Sequence, residues 1–282
     1  NSAASDSRFR SRDELKYSIR SVLMYASWVR NIYIVTDSQV PDWLVECKKV
    51  IIIDHKDIFP DHNVLPVFNS HAIESNLHKI DGLSDCFLYF NDDVFLGKKV
   101  EKSDFFTPFG KASKFFLSDA TFIPFSLSCD SLPVDVAARN NMSFLNEKFN
   151  FKSQRKFKHT PISLKVSTLS RLERDYSQIF DLNRKQRVRS KFDYSIVSSL
   201  YHYYSFSNGT AFPSNTTYSY INLGDYDYKV RLTYMPYKTI KNRAKMFCVN
   251  DVDSDHLPQL EINQVFRNTM ESLYPFKSPV EK

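Results

Sequence analysis

Three short apolar runs, each stopping at an acid, constrain this chain more than any other feature. They are Asn31–Thr36 (NIYIVT) running into Asp37-Ser38, Lys49–Asp54 (KVIIID), and Cys86–Phe90 (CFLYF) running into Asn91-Asp92-Asp93. Short runs rich in β-branched and aromatic residues, bounded by turn formers, read as strands. Helical spacing lies between them. Leu15, Ile19, Val22 and Leu23 mark one face of Arg12–Ala26, with Ser11 or Asp13 as cap, and Ser70 caps a helix through Ile80. Helix, strand, strand, helix, strand is an α/β pattern. In parallel sheets of that class ligands sit at the carboxyl ends of the strands. Asp37, Asp54 and Asp92-Asp93 all fall at such ends, where a buried scaffold presents acids to a ligand.

Further along, Pro108, Pro124 and Pro133 break residues 98–160, and helices are expected at Val134–Lys148, Ile162–Phe180 and Asp193–Phe206. Gly, Pro, Asn, Ser and Thr make 207–225 a loop. Tyr228–Tyr234 (YKVRLTY) alternates as a strand would, Lys245–Val249 is a short strand into Asn250-Asp251, and Pro258–Leu273 is a final helix. The expected fold is α/β: a mostly parallel, Rossmann-like sheet flanked by helices, with a helical middle section at about 134–206, in a single domain over 1–282. Its core is expected to be aromatic, because the 282 residues include 24 Phe and 16 Tyr and only 5 Gly.

Composition excludes some classes. Cys47, Cys86, Cys129 and Cys248 are far apart with no Cys-x-x-Cys pair, which argues against a zinc or dithiol motif. Cys86 and Cys248 read as buried thiols, and the spacing leans towards a reducing compartment. Sequons at Asn141, Asn208 and Asn215 arise easily in a chain rich in Asn, Ser and Thr. No apolar run approaches a membrane span, and no signal peptide is recognisable. A net charge of +6, densest between Lys152 and Lys191, suits a phosphate-bearing substrate, an anionic polymer or an acidic membrane face.

Five groups could carry chemistry, each with a plainer reading beside it. Asn91-Asp92-Asp93 supplies the hard oxygen ligands that Mg²⁺ or Mn²⁺ prefers, or is an Asx-turn or helix cap. Glu74 lies beside the apolar face marked by Ile73 and Leu77, pointing along the sheet top, or is a solvated acid paired with His71 or His78. Asn250-Asp251 repeats the strand-then-acid pattern and could complete a metal site, or is a turn. His159, in KFKHTP before a helix, could bind phosphate or move a proton, or is a capping or surface residue. Arg184, Lys185, Arg187, Arg189 and Lys191 form a basic knot suited to phosphate oxygens, or a solvated charge run. Nucleic acid is not the expected partner, because aromatics are not interleaved with these basic residues.

Several long blocks resemble the Stealth family. They are RFRSRDELKYSIRSVLMYASWVRNIYIVTDSQVPDWL (Arg8–Leu44), FNSHAIESNLHKIDGLSDCFLYFNDDVFLG (Phe68–Gly97), FKHTP (Phe157–Pro161), QRVRSKFDY (Gln186–Tyr194), and MFCVNDVDSD (Met246–Asp255) with LYPF (Leu273–Phe276). That family comprises bacterial capsular polysaccharide phosphotransferases and the animal N-acetylglucosamine-1-phosphotransferase of lysosomal targeting. The resemblance implies transfer of a hexose-1-phosphate from a UDP-sugar to an acceptor hydroxyl, forming a phosphodiester and releasing UMP. In matching positions it places active-site groups at Glu74, Asp93, His159 and Arg189. It extends by adjacency to Asp92, Asn250 and Asp251 as further ligands of Mg²⁺ or Mn²⁺. Arg12, Tyr17, Arg20 and Gln39 are donor contacts by motif position. An earlier family block, an apolar strand ending near a Trp and an acid, is expected before Arg8 and is not in these 282 residues.

The blocks follow one another without a long insertion, which within the resemblance points to a capsule enzyme. It would be cytoplasmic, with peripheral contact at the inner membrane, and its acceptor a growing sugar-phosphate polymer or glycan. An animal-type member would instead work in the Golgi lumen. Two rival classes predict different outcomes: a metal-dependent glycosyltransferase releases UDP, and a polyanion-binding module binds without turnover.

Overall fold

The computed structural model describes residues 10–45, 47–126, 128, 131–238, 241–252 and 254–282; Arg8 and Cys129, both read above, lie outside them. Helix α1, Glu14–Tyr25, buries Tyr17, Ile19 and Val22. β1 (Ile32–Thr36) and β2 (Val50–Asp54) pair in parallel, Ile34 opposite Ile52. Asp54 ends its strand as a helix cap: its carboxylate accepts from Lys56 N, while Asp57 accepts from the Asp54 N–H, and α2 (His55–Ile58) follows. This strand-end acid thus serves as a helix cap. α3 (Ser70–Glu74) is one turn, capped by Asn69, and it breaks after Glu74 where a helix through Ile80 was expected.

The chain then forms β3 (Cys86–Tyr89), β4 (Val94–Leu96), the short α4 (Lys102–Phe105), β5 (Ser113–Phe115) and β6 (Leu117–Phe122). α5 (Pro133–Phe149) carries its proline in the first turn, where the missing N–H costs nothing. β7 (Arg155–Phe157) and β8 (Ile162–Lys165) lead into α6 (Val166–Asp175) and α7 (Ser177–Arg184). A π-helical turn, Ile196–Leu200, runs into α8 (Tyr201–Ser207). β9 (Ala211–Pro213), β10 (Tyr218–Asn222), α9 (Tyr228–Tyr234), β11 (Met246–Asn250) and α10 (Gln259–Leu273) complete the order.

The fold mixes helix and strand as an α/β chain should, but its strands do not make one mostly parallel, Rossmann-like sheet. Among the described residues they form small sheets. β1–β2, β5–β9 and β10–β11 are parallel; β3–β8, β6–β7 and β4–β11 are antiparallel. Three local departures explain this. Ile162–Lys165 is a strand, not the first turn of a helix, and it pairs along the whole of β3. β9 and β10 occupy the stretch expected to be a loop. Tyr228–Tyr234 is a helix: the alternation is real, but Tyr228 and Leu232, four apart, are the buried pair, while Val230 and Tyr234 are 59% and 63% exposed. A buried partner helix, α10, selects the period of four over the period of two.

These departures position the turn Asn91–Asp93. β3 on its N-terminal side is held by β8, and β4 on its C-terminal side by β11, with Cys248 opposite Val94. Beneath lies an aromatic core in which the Phe95 and Phe247 rings stack at 5.1 Å and Phe266 tilts against Phe95 at 6.4 Å. The C-terminal segment closes over α1: Arg20 donates to Glu281 at 2.8 and 2.7 Å and to the Tyr274 carbonyl at 2.9 Å. No helix among the described residues is long and apolar enough to cross a membrane.

Phe266→Ala should cost about 3–5 kcal/mol, read in urea as a lower midpoint at unchanged slope, whereas Phe109→Ala, at a site 97% exposed, should stay within about 0.5 kcal/mol of the wild type. The acid limb of stability should report Glu281. Burial opposes its ionisation, but the Arg20 and Ser278 hydrogen bonds win and hold its carboxyl down to about 2, from an ordinary 4.5. A depressed carboxyl contributes stability that is present above the unfolded value and lost as pH falls through the folded one. Thermal melts of Glu281→Gln should therefore lie below the wild type at neutral pH and converge on it between pH 4.5 and 2.

Candidate active site

Asp93 lies at the centre of the site. Its backbone is clamped by the strand pairing: Val249 N donates to Asp93 O at 3.0 Å. Its side chain faces two neighbours from distant parts of the chain. Oδ1 lies 3.3 Å from His159 Nε2, and Oδ2 accepts from the Cys248 thiol at 3.2 Å. His159 arrives on the loop between β7 and β8, because β8 pairs with β3 and brings residue 162 opposite Tyr89. The Asn91 side-chain amide lies 2.9 Å from the same imidazole nitrogen. With Nε2 protonated towards Asp93, it is the amide oxygen that belongs there.

Charge follows from this geometry. Burial pushes the His159 imidazole down. The Asp93 hydrogen bond and charge, then Glu74 and Asp92, outweigh that and raise it above its ordinary 6.5. The protonated form of His159 is thereby favoured. Asp92, the middle residue of the turn, is exposed to solvent. Burial first, then the adjacent Asp93 carboxylate, raise its carboxyl. Burial and Asp93 likewise push the Cys248 thiol well up, so it stays protonated and donates.

Glu74 is not the solvated helix acid of its plainer reading, nor is it paired with His71 or His78. It is 4% exposed, and Tyr89 Oη donates to its Oε1 at 3.2 Å. Its Oε2 is buried with no hydrogen-bond partner among the described residues. A buried carboxylate oxygen without a donor is costly, and a ligand hydroxyl would satisfy it. His78 is engaged by Glu173 at 2.6 Å instead.

Of the basic knot, Arg189 is the member that bonds the helix bearing Glu74. Arg184 is buried and held by Glu173 at 2.6 Å and Asn76 at 2.8 Å, and Arg187 donates to the Asn63 carbonyl at 2.6 Å. Arg189 donates to Ser70 Oγ at 2.6 Å, and its Nη1 lies 3.2 Å from His71 Nε2. His71 in turn places Nδ1 3.3 Å from Asp193 Oδ2, which also accepts from Asn69 Nδ2 at 3.0 Å and Ser190 N at 3.1 Å. Asp193 is fully buried. It fixes the imidazole with Nδ1–H towards itself and leaves the Nε2 lone pair to accept from Arg189. The guanidinium is thus aimed by a chain of three side chains.

The remaining expected residues go elsewhere. Arg12 is buried, with Nη1 2.7 Å from Asp251 and Nη2 donating to Gln259 at 2.9 Å, and Arg10 adds a second cation 3.6 Å from Asp251. Asp251 therefore arrives neutralised. Asn250 ends β11, half-buried, with its carbonyl accepting from Leu223 N at 2.8 Å. Tyr17 donates to Glu271 at 2.6 Å, and Arg20 bonds Glu281, so both are spent on the C-terminal segment. Gln39 closes the exposed turn after β1, where Thr36 Oγ1 donates to its carbonyl at 2.9 Å. Cys248 was read only as a buried thiol, which it is, and His71 only as an alternative partner of Glu74; Tyr89 and Asp193 were not singled out from the sequence. Only Cys248 had a usable signal: it sits two residues before Asn250 on one strand, so the pleat puts both on one face.

Comparison with known proteins agrees with the blocks quoted above. Conserved regions 2, 3 and 4 of Stealth proteins match residues 8–114, 158–206 and 238–282. One exopolysaccharide phosphotransferase of Streptomyces coelicolor is 39% identical over 98% of this chain and 29% of its own length. A second from that organism is 40% identical over 99% of this chain and 46% of its own length. The exopolysaccharide phosphotransferase CpsY of Mycobacterium tuberculosis is 36% identical over 98% and 52%. The chain thus spans from under a third to about half the length of these relatives. With Asp93, His159, Glu74 and Arg189 each lying inside a matched region, the chain belongs to the Stealth family.

Proposed function

We propose that this chain carries the transferase site of an exopolysaccharide phosphotransferase. In this reading it moves a hexose-1-phosphate, an N-acetylhexosamine-1-phosphate for preference, from a UDP-sugar to a hydroxyl of a growing sugar-phosphate polymer or glycan. The observation that carries the reading is the His159 imidazole on Asp93, its protonated form favoured by Asp93 and by the charge of a buried carboxylate, Glu74, that has one oxygen without a partner. The family and the relatives' names support the reaction class; the UDP-sugar donor, UMP as leaving group and the identity of the sugar belong to the proposal.

The chemistry is alignment and electrostatics around phosphorus. The acceptor oxygen forms a bond to the phosphorus bearing the sugar, and the bridge to the second phosphorus breaks, releasing UMP. Glu74 Oε2 takes the acceptor proton: it is a buried carboxylate oxygen with an unfilled acceptor position, on a residue whose charge acts on His159. His159, already protonated, donates to the departing phosphate, and Asp93 holds that proton in place beforehand. Arg189 neutralises the equatorial oxygens, in the orientation set by His71 and Asp193.

A hard divalent cation fits this site. Asp92 and Asp93 are adjacent carboxylates, and the first is raised by the second, a repulsion that a cation would relieve. Asp92, Asp93 and Asn250 are the residues that would hold Mg²⁺ or Mn²⁺; Asp251 joins them only if Arg12 releases it. Bound there, the ion would neutralise the diphosphate.

Incubation of the protein with a panel of UDP-sugars, an acceptor and Mg²⁺ should release UMP, and Asp93→Asn should abolish release without changing the melting temperature. Release of UDP would make the enzyme a glycosyltransferase, and an unaltered rate in the variant would remove Asp93 from the reaction. Asp193→Asn should lower kcat about 100-fold with a much smaller change in KM, since it misaims Arg189 without touching substrate. A purely structural Asp193 would instead lower the folded fraction and leave kcat per folded molecule intact.

A further inference from the structure

Cys248 has no task in the transfer reaction, yet it lies against the reacting groups. It is fully buried, it comes from β11, and it meets Asp93 of the β3–β4 turn and His159 of the loop before β8. One ligand atom from each of the three residues lies within 4.8 Å of the others. The contacts are 3.3 Å between Asp93 and His159 and 3.2 Å between Asp93 and Cys248. A tetrahedral ion with bonds of about 2.0–2.3 Å holds its ligands about 3.3–3.8 Å apart. Two of the three separations are therefore near tetrahedral edge lengths, each to a different Asp93 oxygen, and the third, between His159 and Cys248, is within 4.8 Å.

Donor chemistry selects the ion. One imidazole nitrogen, one carboxylate oxygen and one sulfur are a borderline-to-soft set, suited to Zn²⁺ and ill-suited to Mg²⁺. Cys248 faces the interior, whereas the His159 side chain is 37% exposed, so a fourth ligand would come from solvent on the His159 side. That is the three-ligand, one-water arrangement of an accessible zinc site.

We propose that Asp93, His159 and Cys248 form an inhibitory site for a thiophilic divalent cation, Zn²⁺ above all. On binding, the sulfur–metal, nitrogen–metal and oxygen–metal bonds form. The thiol proton of Cys248 and the Nε2 proton of His159 leave to water, so two protons are released for each ion bound. The imidazole can then neither hold nor donate a proton, and Asp93 is no longer free to orient it. Transfer stops for as long as the ion stays. The metal site stands on the coordinates alone; the inhibition rests on the roles given above to Asp93 and His159.

Co²⁺ is the spectroscopic probe. Added to the full chain without substrate, it should produce a sulfur-to-cobalt charge-transfer band in the near ultraviolet. The band should vanish in Cys248→Ser and persist in Cys47→Ser and Cys86→Ser. Zn²⁺ should displace the cobalt and, with Mg²⁺ in excess, abolish UMP release by the wild type. Cys248→Ser keeps a donor to Asp93 and should retain transfer, while its half-inhibiting Zn²⁺ concentration should rise by at least about 10-fold, the low end of what losing even an outer partner of a metal ligand costs. A band that survives Cys248→Ser, or equal zinc inhibition of both proteins, overturns the site. A cobalt band in a chain that transfers without zinc inhibition overturns the inhibition. A band in a chain that transfers nothing upholds the metal site and defeats the proposed function instead.

Discussion

Two antiparallel pairings, β8 on β3 and β11 on β4, hold the Asn91–Asp93 turn, and the site is a consequence of that clamp. A three-residue turn carrying two acids would by itself be mobile and solvated. Gripped at both ends, with β4 and β11 packed on Phe266 through Phe95 and Phe247 and with β3 and β8 packed into a neighbouring core, it becomes a rigid shelf. The same pairings deliver the partners. Because β8 follows the His159 loop, pairing with β3 sets His159 beside Asn91, and because β11 runs against β4, Cys248 meets Asp93.

Rigidity matters because every charge at this site is unfavourable alone. Asp92 and Asp93 repel, Glu74 is buried with an oxygen unfilled, and a charged imidazole is surrounded by protein. Each is tolerated because a neighbour compensates it: His159 for Asp93, Tyr89 for one Glu74 oxygen, and the Asp193–His71 chain for the orientation of Arg189. What is left uncompensated is what a phosphate, a hydroxyl or a cation would complete. Such preorganised residual charge is the form in which protein electrostatics does most for a phosphoryl transfer.

A contrast within the basic residues makes the same point. Five lysines and arginines crowd residues 184–191, and as a string they suggest an anion-binding patch. In the folded chain Arg184 is buried in an ion network with Glu173, Arg187 ties down the Asn63 carbonyl, and Arg189 alone among these three joins the His71–Asp193 chain. Arg12, Tyr17 and Arg20, read as donor contacts by position in a motif, hold the two ends of the chain against the body. Long conserved-looking blocks carry structure as well as chemistry.

The first ninety residues were legible because their periodicities are strong: β1, β2, β3 and α1 appear within a residue or two of where the apolar runs place them. Glu74, Asp93, His159 and Arg189 were nameable because long blocks resemble a family, not because spacing revealed them. Strand partners were not legible, since pairing across 70 to 150 residues leaves no local trace, and so a single parallel sheet was expected where small mixed sheets occur. Tyr228–Tyr234 alternates along the sequence, yet α10 beside it makes it a helix. The sequence by itself determined which acids stand at strand ends and which family the chain resembles. Tertiary structure alone decided which of those acids meet a histidine, a thiol or an arginine, because a carboxylate's role depends on the charges within a few ångströms, and those come from far along the chain.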